Sequence, residues 1–297
     1  MTINIRGNLV ELSAPVVMGI VNVTPDSFYA GSRVDGDHLL ARVESMLAAG
    51  AGMIDLGGYS SRPGADEVSA DEEMSRLAPA IRAIRNHFPD VILSVDTFRA
   101  SVAEESVSLG ADIINDIGGG DLDPEMFSTV ARLKVPYILM HMRGTPATMQ
   151  SLTEYDDVTA DVIRDLAFKI DSLRQLGVSD VIVDPGFGFA KTVDQNFSIL
   201  ANLRAFRELG CPVLAGLSRK TMIWKELGIR PDEALNGTTA LNMVALQNGA
   251  DILRVHDVRE AAETVRLYMA LRRNMPEGAN VINLSDRNGE TFPPVIY

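Results

Sequence analysis

A (β/α)8 TIM barrel is the fold class this sequence predicts. Eight short apolar, β-branched runs recur along the chain, and amphipathic helical stretches separate them. Continuous apolar strands alternating with helices indicate a parallel sheet covered on its outer face. Eight repeats favour closure into a barrel over an open doubly wound sheet. A length of 297 residues allows one such domain, and no linker divides the chain. A single domain is therefore expected over 1–297, with the barrel over about 15–273 and a C-terminal tail over 274–297.

In chain order the runs are "VVMGIVNVT" (16–24), "GMIDLGG" (52–58), "VILSVDT" (91–97), "DIINDIGGG" (112–120), "YILMHM" (137–142), "VIVDPGFGF" (181–189), "PVLAGLS" (212–218) and "ILRVHDV" (252–258). Helical patterns such as "SADEEMSRLAPAIRAIRNHF" lie between them, where Ser69 with Glu72 three residues on reads as a capping box. The glycine-rich pieces "DIGGGD" and "DPGFGFAKT" lack the spacing of a phosphate loop or a dinucleotide fingerprint. They read as tight strand-to-helix turns whose glycines let a planar ligand approach the backbone.

Composition narrows the function classes. Apolar residues make up 46% and charged residues 23%, as in an ordinary soluble core, and no apolar stretch approaches the roughly 20 residues of a membrane span. The start, "MTINIRGNLVELSAP", lacks a basic segment followed by a long apolar core, so a cytoplasmic location is expected. The lone Cys211 reads as buried packing. A net charge of −13 repels nucleic acid and anionic lipid, so neither is expected as a partner. Any anionic ligand must be held by a local cluster of positive groups.

Polar residues recur at the C-terminal ends of the strands: Asn22, Asp55, Asp96, Asn115, His141, Asp184, Ser218, Arg254 and His256. In a barrel those ends converge on one mouth, where active sites are built. Arg254 and His256, two apart on a strand, share a face, and Lys220 and Arg62 lie in loops near the same mouth. Four donors there point to a phosphate or diphosphate site. The alternative is a set of ion pairs with Asp55, Asp96 and Asp257. Asp96, Asn115 and Asp184 offer acceptors, or a mixed donor and acceptor, to the edge of a 2-amino-4-oxo-pyrimidine ring. Asp96 could equally cap the helix that follows it. Asn22 could supply one oxygen to a Mg2+ that also binds substrate phosphates. His38 and His87 read as solvated helix residues, and no nucleophilic triad or zinc set emerges.

With these residues assembled, the chain resembles the dihydropteroate synthase family. "GIVNVTPDSF", "DLGGYSSRPGA", "SVDTF", "NDIGGG", "DPGFGFAKT", "GLSRKTMI" and "LRVHDV" look like that family's blocks, in family order, over roughly residues 16–260. The resemblance implies an enzyme that condenses (7,8-dihydropterin-6-yl)methyl diphosphate with 4-aminobenzoate. By that resemblance Asn22 would bind Mg2+, while Asp96, Asn115, Met140, Asp184 and Lys220 would hold the pterin. Ser61, Arg62, Arg254 and His256 would engage the diphosphate. Phe28, Pro63, Phe189, Lys220 and Thr221 would form the aminobenzoate pocket. Asp96, Lys220, Arg254 and His256 would carry the chemistry. The family also implies a homodimer.

Two loops depart from the family pattern. Tyr29, Ala30 and Gly31 follow Phe28 where Ser-Asp-Gly is usual, and Tyr59, Ser60 and Ser61 precede Arg62 where Glu-Ser-Thr is usual. A pterin-dependent methyltransferase is the nearest rival, but it would need no diphosphate clamp. A catalytically dead pterin-binding protein is the other, and retention of Asn22, Arg62, Lys220, Arg254 and His256 argues against it.

Overall fold

The computed structural model describes residues 1–23, 33–59 and 68–274. The chain opens with a hairpin absent from the sequence expectation, β1 (Thr2–Ile5) paired antiparallel with β2 (Asn8–Glu11). Arg6 and Gly7 make its two-residue turn with φ of 51° and 83°, the paired positive values that match the twist of the strands. Arg6 then reaches across to Asp112, with Nε 2.6 Å from Oδ1, and pins the hairpin to the end of the barrel.

Eight parallel strands follow, one in each expected run: β3 (Val16–Asn22), β4 (Met53–Gly57), β5 (Ile92–Asp96), β6 (Ile113–Asp116), β7 (Tyr137–Met140), β8 (Val181–Asp184), β9 (Leu214–Ala215) and β10 (Ile252–Val255). Their spatial order is β8-β7-β6-β5-β4-β3-β10-β9. The ring closes where Val183 pairs with Val213 and its N–H donates to the Pro212 carbonyl at 2.9 Å. The outer layer contains α1 (Arg33–Ala48), α2 (Ala70–His87), α3 (Ala100–Ser108), α4 (Met126–Leu133), α5 (Val158–Gln175), α6 (Val193–Ala201), α7 (Thr221–Leu227), α8 (Leu235–Gln247) and α9 (Val258–Arg273). Chain continuing past Asn274, the expected tail, lies outside the described residues. No helix among the described residues is long and apolar enough to cross a membrane.

Successive strand residues alternate between two cores. Outward-facing Val17, Ile54, Leu93, Leu139, Val183 and Leu253 pack with helix residues such as Val43, Leu77, Val102, Val162 and Leu246. Inward-facing Met18, Met53, Ile113, Ile138, Ile182, Leu214 and Ile252 pack with Ile3, Ile5 and Leu12 of the hairpin region, which seals the N-terminal end. Two residues further along the same inward face stand Asp55, Asn115, Asp184 and Arg254. Half of the expected capping box is present at α2. The Glu72 N–H donates to Ser69 Oγ at 3.2 Å, while the Glu72 carboxylate turns to pair with Arg76.

Candidate active site

Strand register sets a row of groups across the mouth. Asn22 pairs with Gly57, Gly57 with Asp96, and Asp96 with Asn115. Arg254 comes from β10, which pairs with β3 on the side away from β4. Its Nε donates to Asp55 Oδ2 at 2.6 Å, and its Nη2 donates to Asp96 Oδ2 at 2.5 Å. Asn115 Nδ2 donates to the same Asp55 oxygen at 3.0 Å. The guanidinium is thus gripped from below by one carboxylate and from the side by another. Its Nη1 makes no hydrogen bond among the described residues.

This geometry decides between the alternatives for Asp96. Helix α3 is capped at Arg99, and its first N–H, that of Ala100, donates to Asp123 Oδ2 at 2.7 Å. Asp96 faces the mouth instead. The ion-pair reading holds for Arg254 with Asp55 and Asp96, whereas Asp257 pairs with Arg219, its Oδ1 2.8 Å from Nη2. Burial pushes the Asp96 carboxyl up to about 7 against the opposing pull of Arg254, and Asp55, Glu73 and Asp116 add to the rise. Burial opposes the charge of Arg254, but Asp55 and Asp96 overcome it and hold the guanidinium above its ordinary range.

His256 is oriented by Ser218. The His256 backbone N–H donates to Ser218 Oγ at 3.1 Å, and Ser218 Oγ stands 3.0 Å from His256 Nδ1. With its oxygen accepting from the backbone, the serine proton is free to donate to Nδ1, which leaves Nε2–H as the free donor. Burial, helped by Arg254, draws this imidazole down to about 4, so it is neutral near pH 7.

The pterin and aminobenzoate candidates meet on the other side of the mouth. Asp184 is buried at the end of β8 and accepts from the Gly186 N–H at 2.8 Å. Burial raises its pKa while that N–H, Lys220 and Arg254 oppose the rise. Lys220 Nζ lies 4.3 Å from the centroid of the Phe189 ring. Burial draws Lys220 down to about 8, with Asp184 opposing. Met140 and Phe189 belong to one apolar cluster with Ile117, Met142 and Met149. Thr221 is the exposed first residue of α7, next to Lys220. Ser61, Arg62, Pro63 and Phe28, with the departures Tyr29, Ala30, Ser60 and Gly31, lie outside the described residues. Tyr59 is described, and its ring packs edge-on to Phe98 with centroids 5.3 Å apart.

The glycine turns work differently from the expectation. A Cβ on Gly119 would stand 2.3 Å from the Met140 carbonyl oxygen, and one on Gly186 would stand 2.0 Å from that of His141. Their glycines admit the backbone at the end of β7 rather than a ligand. Lys191 and His141 form a buried pair, Nζ to Nδ1 3.0 Å. The sequence pattern holds a hint of it, a lysine closing an otherwise apolar glycine turn in "GFGFAKT".

The sequence profile of the family described as "Pterin binding enzyme" matches residues 18–256. Dihydropteroate synthase of Escherichia coli strain K12 is 44% identical over 271 residues, covering 89% of this chain and 94% of that one. The chain belongs to the dihydropteroate synthase family. It is, like those relatives, a transferase enzyme. Among solved members of the family, a Yersinia pestis dihydropteroate synthase in a sulfonamide drug complex has a TM-score of 0.86 at 41% identity, covering 92% of this chain and 100% of that one. A Xanthomonas albilineans dihydropteroate synthase with 4-aminobenzoic acid has a TM-score of 0.84 at 38% identity, covering 93% and 99%. The barrel is thus that of the dihydropteroate synthase family.

Proposed function

We propose that the chain condenses (7,8-dihydropterin-6-yl)methyl diphosphate with 4-aminobenzoate, giving 7,8-dihydropteroate and pyrophosphate by a dissociative substitution. One observation carries this reading. Acceptors for a flat heterocycle (Asp96, Asn115 and Asp184) share a single mouth with unspent donors of Arg254, His256 and Lys220, in a protein whose net charge is −13.

The residues divide the work. Asp96 and Asp184 accept from the N–H edge of the pterin and stabilise positive charge developing in its ring. Arg254 and the Nε2–H of His256 face the leaving diphosphate, with Arg254 held in place by Asp55 so that little reorganisation is needed. Phe189 and Lys220 flank the incoming amine, whose carboxylate suits the lysine charge. The neutral aniline nitrogen needs no strong base before attack, because its proton becomes acidic only once the new bond forms.

Magnesium belongs to the same proposal, held by Asn22. No cluster of three or more His, Cys, Asp or Glu among the described residues could hold a metal. Asn22 is half-buried, its side chain makes no hydrogen bond among the described residues, and a Cβ on Gly57 would stand 3.3 Å from its Oδ1. An uncommitted amide oxygen beside such a gap fits a hard cation that takes its other ligands from phosphate and water. Bound there, Mg2+ would neutralise charge on the leaving oxygens. A homodimer and a cytoplasmic location complete the proposal, supported by family membership.

Pyrophosphate release assayed with each substrate omitted in turn tests this reading. Release that needs the pterin diphosphate, is stimulated by 4-aminobenzoate and persists weakly without it is the expected result. No release without the amine would replace the dissociative path by a concerted one. No release with both would overturn the assignment.

A further inference from the structure

The turn between Asp184 and Thr192 carries both a pterin acceptor and the aromatic wall, yet its backbone is poorly constrained by secondary structure. Gly186, Gly188 and Ala190 all have positive φ, at 73°, 81° and 50°. Neither the strand ladder, which ends at Asp184, nor helix α6, which begins at Val193, dictates that shape. Something else must fix it.

Lys191 is 4% exposed, and its Nζ sits at the centre of this turn. It donates to the Phe189 carbonyl at 2.9 Å and to the Gly186 carbonyl at 3.1 Å, and it lies 3.0 Å from His141 Nδ1. Burial draws the Lys191 ammonium down to about 7 while Asp184 opposes the fall, and in the charged form its three protons meet three acceptors. His141 is itself buried, and burial with the neighbouring Lys191 charge draws its imidazole down to about 2. The ring is therefore neutral, with Nδ1 as acceptor and the proton on Nε2. We infer that Lys191, seated on His141, is a positioning residue that sets the spacing between Asp184 and Phe189, and so the relative placement of the heterocycle and the aromatic amine.

Two further contacts show how much rests on that one side chain. Gly186 accepts the Phe189 N–H at 3.1 Å through the same carbonyl that Lys191 holds, so losing Lys191 leaves that single backbone bond to tie the Gly186 and Phe189 ends of the turn together. The other supports are the Asp184 carboxylate on the Gly186 N–H, Asn196 on the Gly188 N–H and Tyr155 on the Ala190 carbonyl, and none of them holds the Phe189 carbonyl. Lys191 touches neither proposed substrate and acts through Asp184 and Phe189.

The inference rests on the proposed substrates, and Lys191→Met tests it in the full-length enzyme. The KM for 4-aminobenzoate should rise at least about tenfold while kcat changes less than about threefold, and hydrogen exchange at the Phe189 amide should accelerate by at least about tenfold. His141→Leu should reproduce both effects. His141→Asn, which keeps an acceptor oxygen close to the place of Nδ1, should restore most of the parent values. If Lys191→Met fails to fold, the His141 pair decides the matter by the same two readouts. A folded Lys191→Met enzyme with the parent KM and a protected Phe189 amide would overturn the inference, and so would equal losses in His141→Leu and His141→Asn. A parent enzyme that released no pyrophosphate would sink the proposed reaction instead, and amide exchange would still judge the role of Lys191.

Discussion

The two ends of the barrel are made by the same strands and follow opposite rules. At the N-terminal end Met53, Ile113, Ile138, Ile182 and Ile252 meet Ile3 and Ile5 of the hairpin in an apolar layer. One two-residue step along the same face, Asp55, Asn115, Asp184 and Arg254 replace them with charges and amides. The polar layer is also less fully paired, since Asp55 Oδ1 and Ser94 Oγ are buried without a hydrogen-bond partner among the described residues. Burying such groups is unfavourable. The difference teaches that one layer supplies burial free energy and the next spends it on chemistry, with a rigid ladder joining them.

The comparison breaks most visibly at Arg254. Arg254→Ala removes the counter-charge of Asp55 and Asp96, and breaking a buried pair destabilises by about 3–5 kcal/mol. Thermal unfolding should show that loss, and pyrophosphate release should fall roughly a thousandfold or more. An unchanged melting temperature would mean that the mouth does not lean on this pair. At the other end, Ile182→Ala should cost about 2–5 kcal/mol of stability by opening a cavity. Its kcat/KM, measured well below the melting temperature, should stay near the parent value. A large catalytic loss there would show that the two layers are not separable.

The pH profile sharpens the mouth's side of the contrast. Asp96, raised to about 7, must be ionised to accept from the pterin, and Lys220, lowered to about 8, must be protonated to hold the amine's carboxylate. The kcat/KM of the free enzyme should therefore climb as pH passes 7 and decline as it passes 8, with Asp184 adding to the acid limb. A flat profile between pH 6 and 9 would contradict these roles. The smallest effect is expected for Asn22→Ala, which should raise the Mg2+ concentration for half-maximal activity several-fold and leave the affinity for a pterin lacking diphosphate unchanged. Titration of activity against Mg2+, beside calorimetry with a pterin analogue, separates this from a purely structural role.

Much of the architecture is legible in the sequence because local patterns encode it. Each barrel strand falls inside an apolar run, and the polar residue that ends a run reaches the mouth because alternation places it there. The hairpin is less visible, although Ile3 and Ile5 alternate and Arg6-Gly7 can make its turn. Four residues per strand give too short a pattern to stand out beside longer runs. Pairings between residues distant in sequence leave no local trace. Arg254 reads correctly as a mouth residue, yet nothing near it announces Asp55 as its partner, and a lysine in a glycine turn does not reveal that it points inward to His141.

The Arg254 pairing has a consequence for how the chain comes to life on the ribosome. Arg254 follows Asp55 by 199 residues and Asp96 by 158. At synthesis rates of about 5–20 residues per second, the two carboxylates wait roughly 10–40 s for their counter-charge. The strand that delivers it, β10, also joins β3 to β9 and so bridges the first barrel strand to the seventh. Until then the nascent chain has neither a ring nor a balanced mouth. Ring closure and charge balance therefore arrive together, with the last barrel strand in chain order.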